Sequence, residues 1–360
     1  MTSPDPRTRT RRRLSTLLWG AIPVVALGAL INLDSVPGTD VSLTVPYAAQ
    51  GPGPTFNTLG EVDGQDVVAV SGPEVDETEG NLDMTTVSVR TNMTLAQALG
   101  RWLFTDDDLI PIEMIFPPDV SPEEVERSNE AAFTSSEAAA TVAAMGYLDV
   151  DVEIHVVDVV EDSAAEGQVQ PDDVIRAVDG EPMEQPNQVA EAVQAQRPGD
   201  TVTLTLARAD GAEEVDVVLG ENPDDPETAM LGILMGSQPV EDIEVEYNLN
   251  DVGGPSAGMM FSLAVIDKLS PGELNGGRYV AGTGTISPDG VVGPIGGIAH
   301  KVDAAEEEGA ELFLAPRDNC AEAVSRDHGD MVVAAVDTLE HAIEQMEAFD
   351  AGGDVDVCEP

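Results

Sequence analysis

Leu14 to Leu33, LSTLLWGAIPVVALGALINL, is a run of 20 residues without a charge. A helix of that length, at about 1.5 Å per residue, matches the roughly 30 Å hydrocarbon core of a bilayer. In lipid a lone segment must be helical to satisfy its own amides, and a residue such as Pro23 is tolerated there. Arg7, Arg9, Arg11, Arg12 and Arg13 precede the run and no basic residue follows it closely. The pattern predicts a cytoplasmic basic N-terminus over residues 1–13, one transmembrane helix over 14–33, and an extracytoplasmic body held at the cell membrane. A cleaved signal peptide is the alternative, but the run is long for one and no clear small-x-small site closes it.

Behind that run the chain is acidic, with 68 Asp and Glu against 16 Lys and Arg in 360 residues, a net charge of −52. Without a basic footprint the body is not expected to bind nucleic acid or anionic lipid. Solvated carboxylates keep a protein soluble in concentrated salt, which fits a saline habitat. Apolar content of 42% supports globular domains, and the length allows two. Cys320 and Cys358 are the only cysteines. In an oxidising compartment they are expected to bridge, with Gly352-Gly353 turning the tail back. Four scattered histidines and two cysteines give no metal-ligand spacing, so neither a metal nor a cofactor is expected.

Residues 41–145 open with short apolar runs split by Gly, Pro and Asp (VSLTV, DVVAV, MTTVSV), which read as strands. Helical spacing follows over Leu95–Phe104 and Pro122–Tyr147, where AAFTSSEAAATVAAM is a strong helix former. Residues 146–222 read as a compact module: a strand over Val152–Val160, a turn and strand in SAAEGQVQPDDVIRAVDGEPM, a helix over Asn187–Gln196 and a strand in TVTLTLAR. The polar ENPDDPET is a linker. Residues 228–347 form a last domain, with a helix over Pro255–Leu269 burying Met259, Met260, Leu263, Ile266 and Leu269, and residues 348–360 a tail.

Within the last domain VGGPSAGMMF places Ser256 between Pro255 and an apolar run. The serine can cap the helix, accepting from its first free amides. It can also be a nucleophile, because the same amides, near Gly254–Ser256, favour developing negative charge, although the motif alone favours the cap. The chain has two lysines against fourteen arginines. Lys268, beside Asp267 near a helix end, reads as an exposed charge. Lys301 falls in the first turn of a helix after Gly296-Gly297, where burial and the positive helix end would lower its pKa and allow a neutral amine to act as a base. Arginine cannot do this.

Rival motifs fall away. Neither lysine sits in G-x-x-x-x-G-K-S/T, GTGTIS lacks the third glycine of a dinucleotide fingerprint, and no G-x-S-x-G elbow occurs. His300, next to Lys301, would point about 100° away from it on a helix. Acidic clusters such as AEEEGAE read as solvated faces.

Two segments carry a resemblance. The run from Ser163 to Pro182, with its small residues, D-V-I strand entry and DGEP turn, is similar to the PDZ pattern, except that Asp172 stands where glycine is usual. GGPSAG and, 45 residues after its serine, the lysine of GPIGGIAHKVDAA resemble the Ser–Lys dyad of the Lon proteolytic domain. The order of segments resembles the membrane-anchored, PDZ-containing Lon-like proteases. The likeness runs from about Asn81 to Gln345 and includes GPGPTFNTLG. It implies an α+β fold, a Lon-type proteolytic domain with an inserted PDZ-like module. It also implies Ser256 as nucleophile, Lys301 as general base and Thr283 holding the lysine, with Gly254 and Pro255 shaping the turn. Gly253 replaces an acidic residue found in cytosolic Lon, so no such acid is assigned here. The expected activity is ATP-independent cleavage of unfolded or exposed segments of extracytoplasmic proteins. The expected partners are protein or peptide substrates, C-terminal tails in the PDZ module, and further copies in a hexameric ring. The competing class is a pseudoprotease that recruits tails without cutting them.

Overall fold

The computed structural model describes Gly28 and residues 30–360, apart from 37, 40, 74, 77, 79, 117–119, 161–162, 209–210, 224, 241–242 and 250–251. Residues 1–13 and 14–27, the expected cytoplasmic stretch and most of the expected anchor, lie outside the described residues. Among those described, no helix is long and apolar enough to cross a membrane. The chain forms two compact units, the smaller ending at Pro54 and resuming over Thr86–Val125, the larger made of Thr55–Thr85 and Glu126–Pro360.

The smaller unit holds the first part of β1 (Tyr47–Asn57), the last part of β2 (Asn81–Arg90), α1 (Leu95–Phe104) and β3 (Asp108–Pro111). β1 pairs antiparallel with β3, Tyr47 facing Pro111 and Gln50 facing Asp108. The spacing had put a strand in VSLTV. The structure gives that stretch only isolated bridges, Ser42 to Ser35 and Thr44 to Thr94, and runs the strand through the following YAAQGPGPTFN. α1 begins where expected, because Thr94 and Gln97 form a reciprocal capping box.

α2 (Pro122–Tyr147) leads into the inserted module. Its strands are β4 (Val152–Val159), β5 (Val174–Val178), β6 (Thr201–Arg208), β7 (Gly211–Val218) and β8 (Ile233–Pro239), with α3 (Pro186–Gln194) between β5 and β6. They form an antiparallel sheet in the order β7-β6-β5-β4-β8. The alternation in TVTLTLAR works as period two requires: Val202, Leu204 and Leu206 point into a core shared with Ile154, Ile175 and Val189. Asp172 adopts φ +70, so the left-handed turn survives without glycine. Next to it Asp173 receives a two-pronged hydrogen bond from Arg208, both contacts 2.7 Å, which ties β6 to the entry of β5. The sheet takes one further strand from beyond the expected module end at residue 222. β8 lies beyond the polar linker and pairs with β4 over its whole length, Ile233 facing Val159 and Pro239 facing Val152.

The remainder contains α4 (Gly258–Leu269), β9 (Tyr279–Gly282), α5 (Ile298–Glu308), β10 (Leu312–Pro316), β11 (Val332–Val336) and α6 (Leu339–Asp350). β11-β10-β9-β2 are neighbours and all pair in parallel, with α5 between β9 and β10 and α6 after β11. The class is therefore mixed α/β, a parallel stretch the α+β reading did not anticipate. α4 is the central element. The expected one-sided apolar face is replaced by burial all round: Met259, Met260, Phe261, Leu263, Ala264, Val265 and Ile266 are all fully buried. α2 lies against it through an edge-on Phe133–Phe261 pair, centroids 5.7 Å apart, and through Ser262 Oγ donating to the Ala140 carbonyl. Burial of each such large side chain stabilises by roughly 1.5–3 kcal/mol, enough to hold the start of α4 in place.

Two corrections follow from α4. The helix starts at Gly258 rather than Pro255, and Ala257, not Ser256, occupies the cap position with no side-chain cap bond. Lys268 is not an exposed charge: it is 8% exposed and donates to the Val68 carbonyl at 2.6 Å. Burial also lowers its pKa against the opposing pull of Asp66 and Asp267.

At the C-terminus Cys320 and Cys358 are bridged, their Cα atoms 4.9 Å apart. The tail returns beside β11 through Ala335 N–H to the Asp356 carbonyl and Cys358 N–H to the Val333 carbonyl.

Candidate active site

The turn before α4 is held from two sides. Gly254 takes φ +87, a conformation that suits glycine, and its amide donates to the Asn129 carbonyl of α2 at 3.0 Å. Ser136, also on α2, donates to the Pro255 carbonyl at 3.1 Å. On the other side the Ser256 carbonyl accepts from Thr283 Oγ1 and from the Gly284 amide, both at 3.0 Å, while the Met259 amide reaches the Gly284 carbonyl at 3.2 Å. With its carbonyl engaged by the segment after β9, Ser256 cannot continue the helix, and its hydroxyl is left to point elsewhere.

It points at Lys301. The ammonium nitrogen Nζ lies 2.8 Å from Ser256 Oγ and 2.8 Å from Thr283 Oγ1. Lys301 is the fourth residue of α5, which starts after Gly297 at φ +69. Both Lys301 (2% exposed) and Thr283 (0%) are buried. Burial pushes the Lys301 ammonium down from the ordinary 10.5 to about 7. Desolvation disfavours the charged form, and the two groups at hydrogen-bond distance are neutral hydroxyls. Near neutrality a substantial share of Lys301 is therefore a free amine that can accept the Ser256 proton.

Ser256, Thr283 and Lys301 come together, with Gly254 and Pro255 forming the turn that carries the serine. Cys320 and Cys358 are bridged to one another and take no part in this triad of contacts. His300 is turned to Arg326, Nδ1 lying 3.0 Å from the guanidinium. Asn129 and Ser136 are additions: neither stands out in the sequence, and their role comes from α2 facing the turn. Of the amides near Gly254–Ser256 expected to stabilise an oxyanion, that of Gly254 is already engaged with Asn129 and Pro255 has none. The Ser256 and Ala257 amides are the remaining candidates.

Comparison with known proteins agrees with this arrangement at the level of domains. Residues 250–346 match the Lon protease (S16) C-terminal proteolytic domain, and residues 125–219 match the PDZ domain family. The chain carries a Lon proteolytic domain and a PDZ domain. It is 29% identical over 115 residues to Lon protease 2 of Bacillus subtilis, covering 31% of this chain and 20% of that protein. It is 34% identical over 107 residues to the archaeal Lon protease of Methanothermobacter thermautotrophicus, covering 29% and 16%. The chain thus spans a fifth or less of these relatives' length. Among solved structures, the PDZ domain of the SdrC-like protein Lmo2051 from Listeria monocytogenes aligns at 23% identity over 23% of this chain and 85% of that one, TM-score 0.21. The PDZ domain of Lin2157 from Listeria innocua aligns at 25% identity over 23% and 92%, TM-score 0.22. The PDZ match starts within α2, before the expected module boundary at residue 146, and stops short of β8.

Proposed function

We propose that the protein is a serine endopeptidase that works through a Ser256–Lys301 dyad, without ATP, on unfolded or exposed segments of extracytoplasmic proteins. The observation that carries this is the position of one buried amine, 2.8 Å from the serine hydroxyl and 2.8 Å from a threonine that fixes it. Lys301 takes the proton as Ser256 Oγ attacks a peptide carbonyl, and the Ser256 and Ala257 amides receive the oxyanion. Lys301 then returns the proton to the leaving amine, and water hydrolyses the acyl-enzyme. Thr283 keeps Nζ aimed at Oγ while bonding the Ser256 carbonyl, so base and nucleophile are positioned through one residue.

No G-x-x-x-x-G-K-S/T run occurs in the 360 residues, so the proposed cleavage draws on no P-loop within them. The reading as a membrane-held enzyme is supported by the charge-free Leu14–Leu33 run. The Ala96 amide of α1 also donates to the Ile31 carbonyl at 2.9 Å, so α1 starts beside the residues where that run ends. Trp102, Leu103 and Phe104 of the same helix are exposed. The test is incubation of the full-length protein, in detergent and without ATP, with a permanently unfolded protein beside its Ser256→Ala counterpart. Fragments from the native enzyme alone are expected. Equal fragmentation by both proteins would refute the dyad.

A further inference from the structure

A surface helix ordinarily buries its apolar stripe against the body. α1 does the reverse. Ala98 is its one buried residue, packed with Ala49 and Met93. At about 100° per residue, Leu95, Leu99, Trp102 and Leu103 share an arc of about 100° on another side of the helix. All four are exposed, Trp102 at 63% and Leu103 at 59%, and Phe104 follows at 85%. With aromatic side chains of about 150–250 Å² each, the patch leaves roughly 500 Å² of apolar surface open, near the upper end for a monomer in water. α1 has no acidic residue, and its one basic residue, Arg101, is ion-paired with Asp107. Such a face binds through apolar area rather than charge.

What lies against this face follows from where the chain leaves the Leu14–Leu33 run. On the membrane-held reading the run fills the hydrocarbon core, so Ile31, two residues before its end, lies at the outer edge of that core. The Ile31 carbonyl accepts from the Ala96 amide at 2.9 Å, and the Val45 amide donates to the Met93 carbonyl at 2.9 Å. The chain that follows the run is thus fastened to the start of α1 at two points. α1 has ten residues and is about 15 Å long, so no part of it is much farther than that from the edge of the core. Tryptophan suits that boundary, since its ring is apolar and its N–H polar.

Resting on that reading, we propose that α1 is an interfacial helix lying in the outer face of the bilayer. Leu95, Leu99, Trp102, Leu103 and Phe104 are sunk about 5–10 Å into the boundary between headgroups and acyl chains. The partner is lipid itself, whatever its headgroup, because α1 has no basic cluster to read one. The run spans the bilayer and α1 lies on it, so the smaller unit is held at two places and does not swing freely about its anchor.

The chain has two tryptophans, Trp19 in the run and Trp102 in α1, so each attachment has its own reporter. Full-length Trp19→Phe and Trp102→Phe proteins are reconstituted in phosphatidylcholine vesicles. Their fluorescence is then read against acrylamide in the water and against lipid brominated near the top or the end of the acyl chain. Brominated lipid is expected to lower Trp102 emission by roughly twofold or more, most with bromine near the top, while acrylamide reaches the ring weakly. Adding Leu99→Glu and Leu103→Glu should reverse both readings, and lipid quenching that survives these charges overturns the inference. So does a Trp102 open to acrylamide, which leaves the face in water, or one shielded from both quenchers, which assigns the face to a second copy of the chain. If Trp19 is quenched by lipid in those cases, the anchor stands and only this inference falls. If lipid quenches neither tryptophan, the membrane-held reading falls with it.

Discussion

Replacing Lys301 by Met removes a charge that burial disfavours while keeping an unbranched chain of similar length. Folding lowers the Lys301 pKa from 10.5 to about 7, which at about 1.4 kcal/mol per pH unit is roughly 5 kcal/mol of penalty on the charged form. Because the folded pKa is depressed, the folded state binds fewer protons than the unfolded one. The penalty is therefore complete below pH 7, shrinks as pH rises from about 7 to 10.5, and vanishes above. Methionine escapes it but loses the two 2.8 Å hydrogen bonds to Ser256 and Thr283, about 1 kcal/mol each. Lys301→Met should thus be about 2 kcal/mol more stable than the native protein near pH 7. The two should be equal near about pH 9, and the variant about 1 kcal/mol less stable near pH 10. Lys301→Arg, which cannot shed its charge, should be less stable than Lys301→Met by several kcal/mol throughout. Denaturant unfolding of the variants at pH 6, 7, 8.5 and 10 measures this, and the inversion of sign is the signature. A Met variant that is less stable at pH 7, or a difference that does not change with pH, would show that Lys301 carries no buried-amine penalty.

Peptidase activity should rise with pH through a single ionisation near 7 and then stay level, with both Lys301 variants inactive; a rise only above pH 9 would remove Lys301 as the base. Ser256→Ala should lose all cleavage yet unfold within about 1 kcal/mol of the native protein, since it forfeits one hydrogen bond and no packing. Thr283→Val should lower kcat by roughly 10- to 100-fold with KM unchanged, because it removes one of the two hydrogen bonds on Nζ and one of the two on the Ser256 carbonyl, and Thr283→Ser should restore most of the rate. An unaltered kcat in Thr283→Val would deny it a positioning role. Cys320 and Cys358 should resist thiol labelling in unreduced, denatured protein, and their closed loop, with a sequence separation of 38, should contribute roughly 3–4 kcal/mol. Two labelled thiols would refute the bridge.

The parts of the fold legible in the sequence were those set by local chemistry. Helical spacing in LAQALGRWLF, period-two alternation in TVTLTLAR and the alanine-rich run of α2 each specify their element from neighbours in the chain. What stayed hidden was decided by partners far away. β1 carries two prolines and two glycines, signals that argue against a strand, and becomes one through pairing with β3. β8 looked like the start of the next domain because its partner β4 lies more than 70 residues earlier. Lys268 next to Asp267 looked solvated because the pair is read along the chain, whereas α4 is enclosed on every side.

The site divides in the same way. Ser256 and Lys301 stood out because each is chemically conspicuous, a serine in a glycine-rich turn and one of two lysines in a chain with fourteen arginines. Ser136 did not, since a serine among alanines in an acidic helix reads as an ordinary polar position. Its place in the site depends on how near α2 comes to the start of α4, and that distance is set by Gly258. A Cβ at this position would lie 2.7 Å from Ser136 Oγ and 2.6 Å from Ile286 Cγ2. The last glycine of GGPSAG therefore serves close approach rather than an unusual backbone angle. It lets α2 hold the Pro255 carbonyl from one side while Thr283 holds the Ser256 carbonyl from the other. A larger residue at Gly258 would push α2 away, loosen the turn and widen the gap between Ser256 Oγ and Lys301 Nζ, although it touches neither atom.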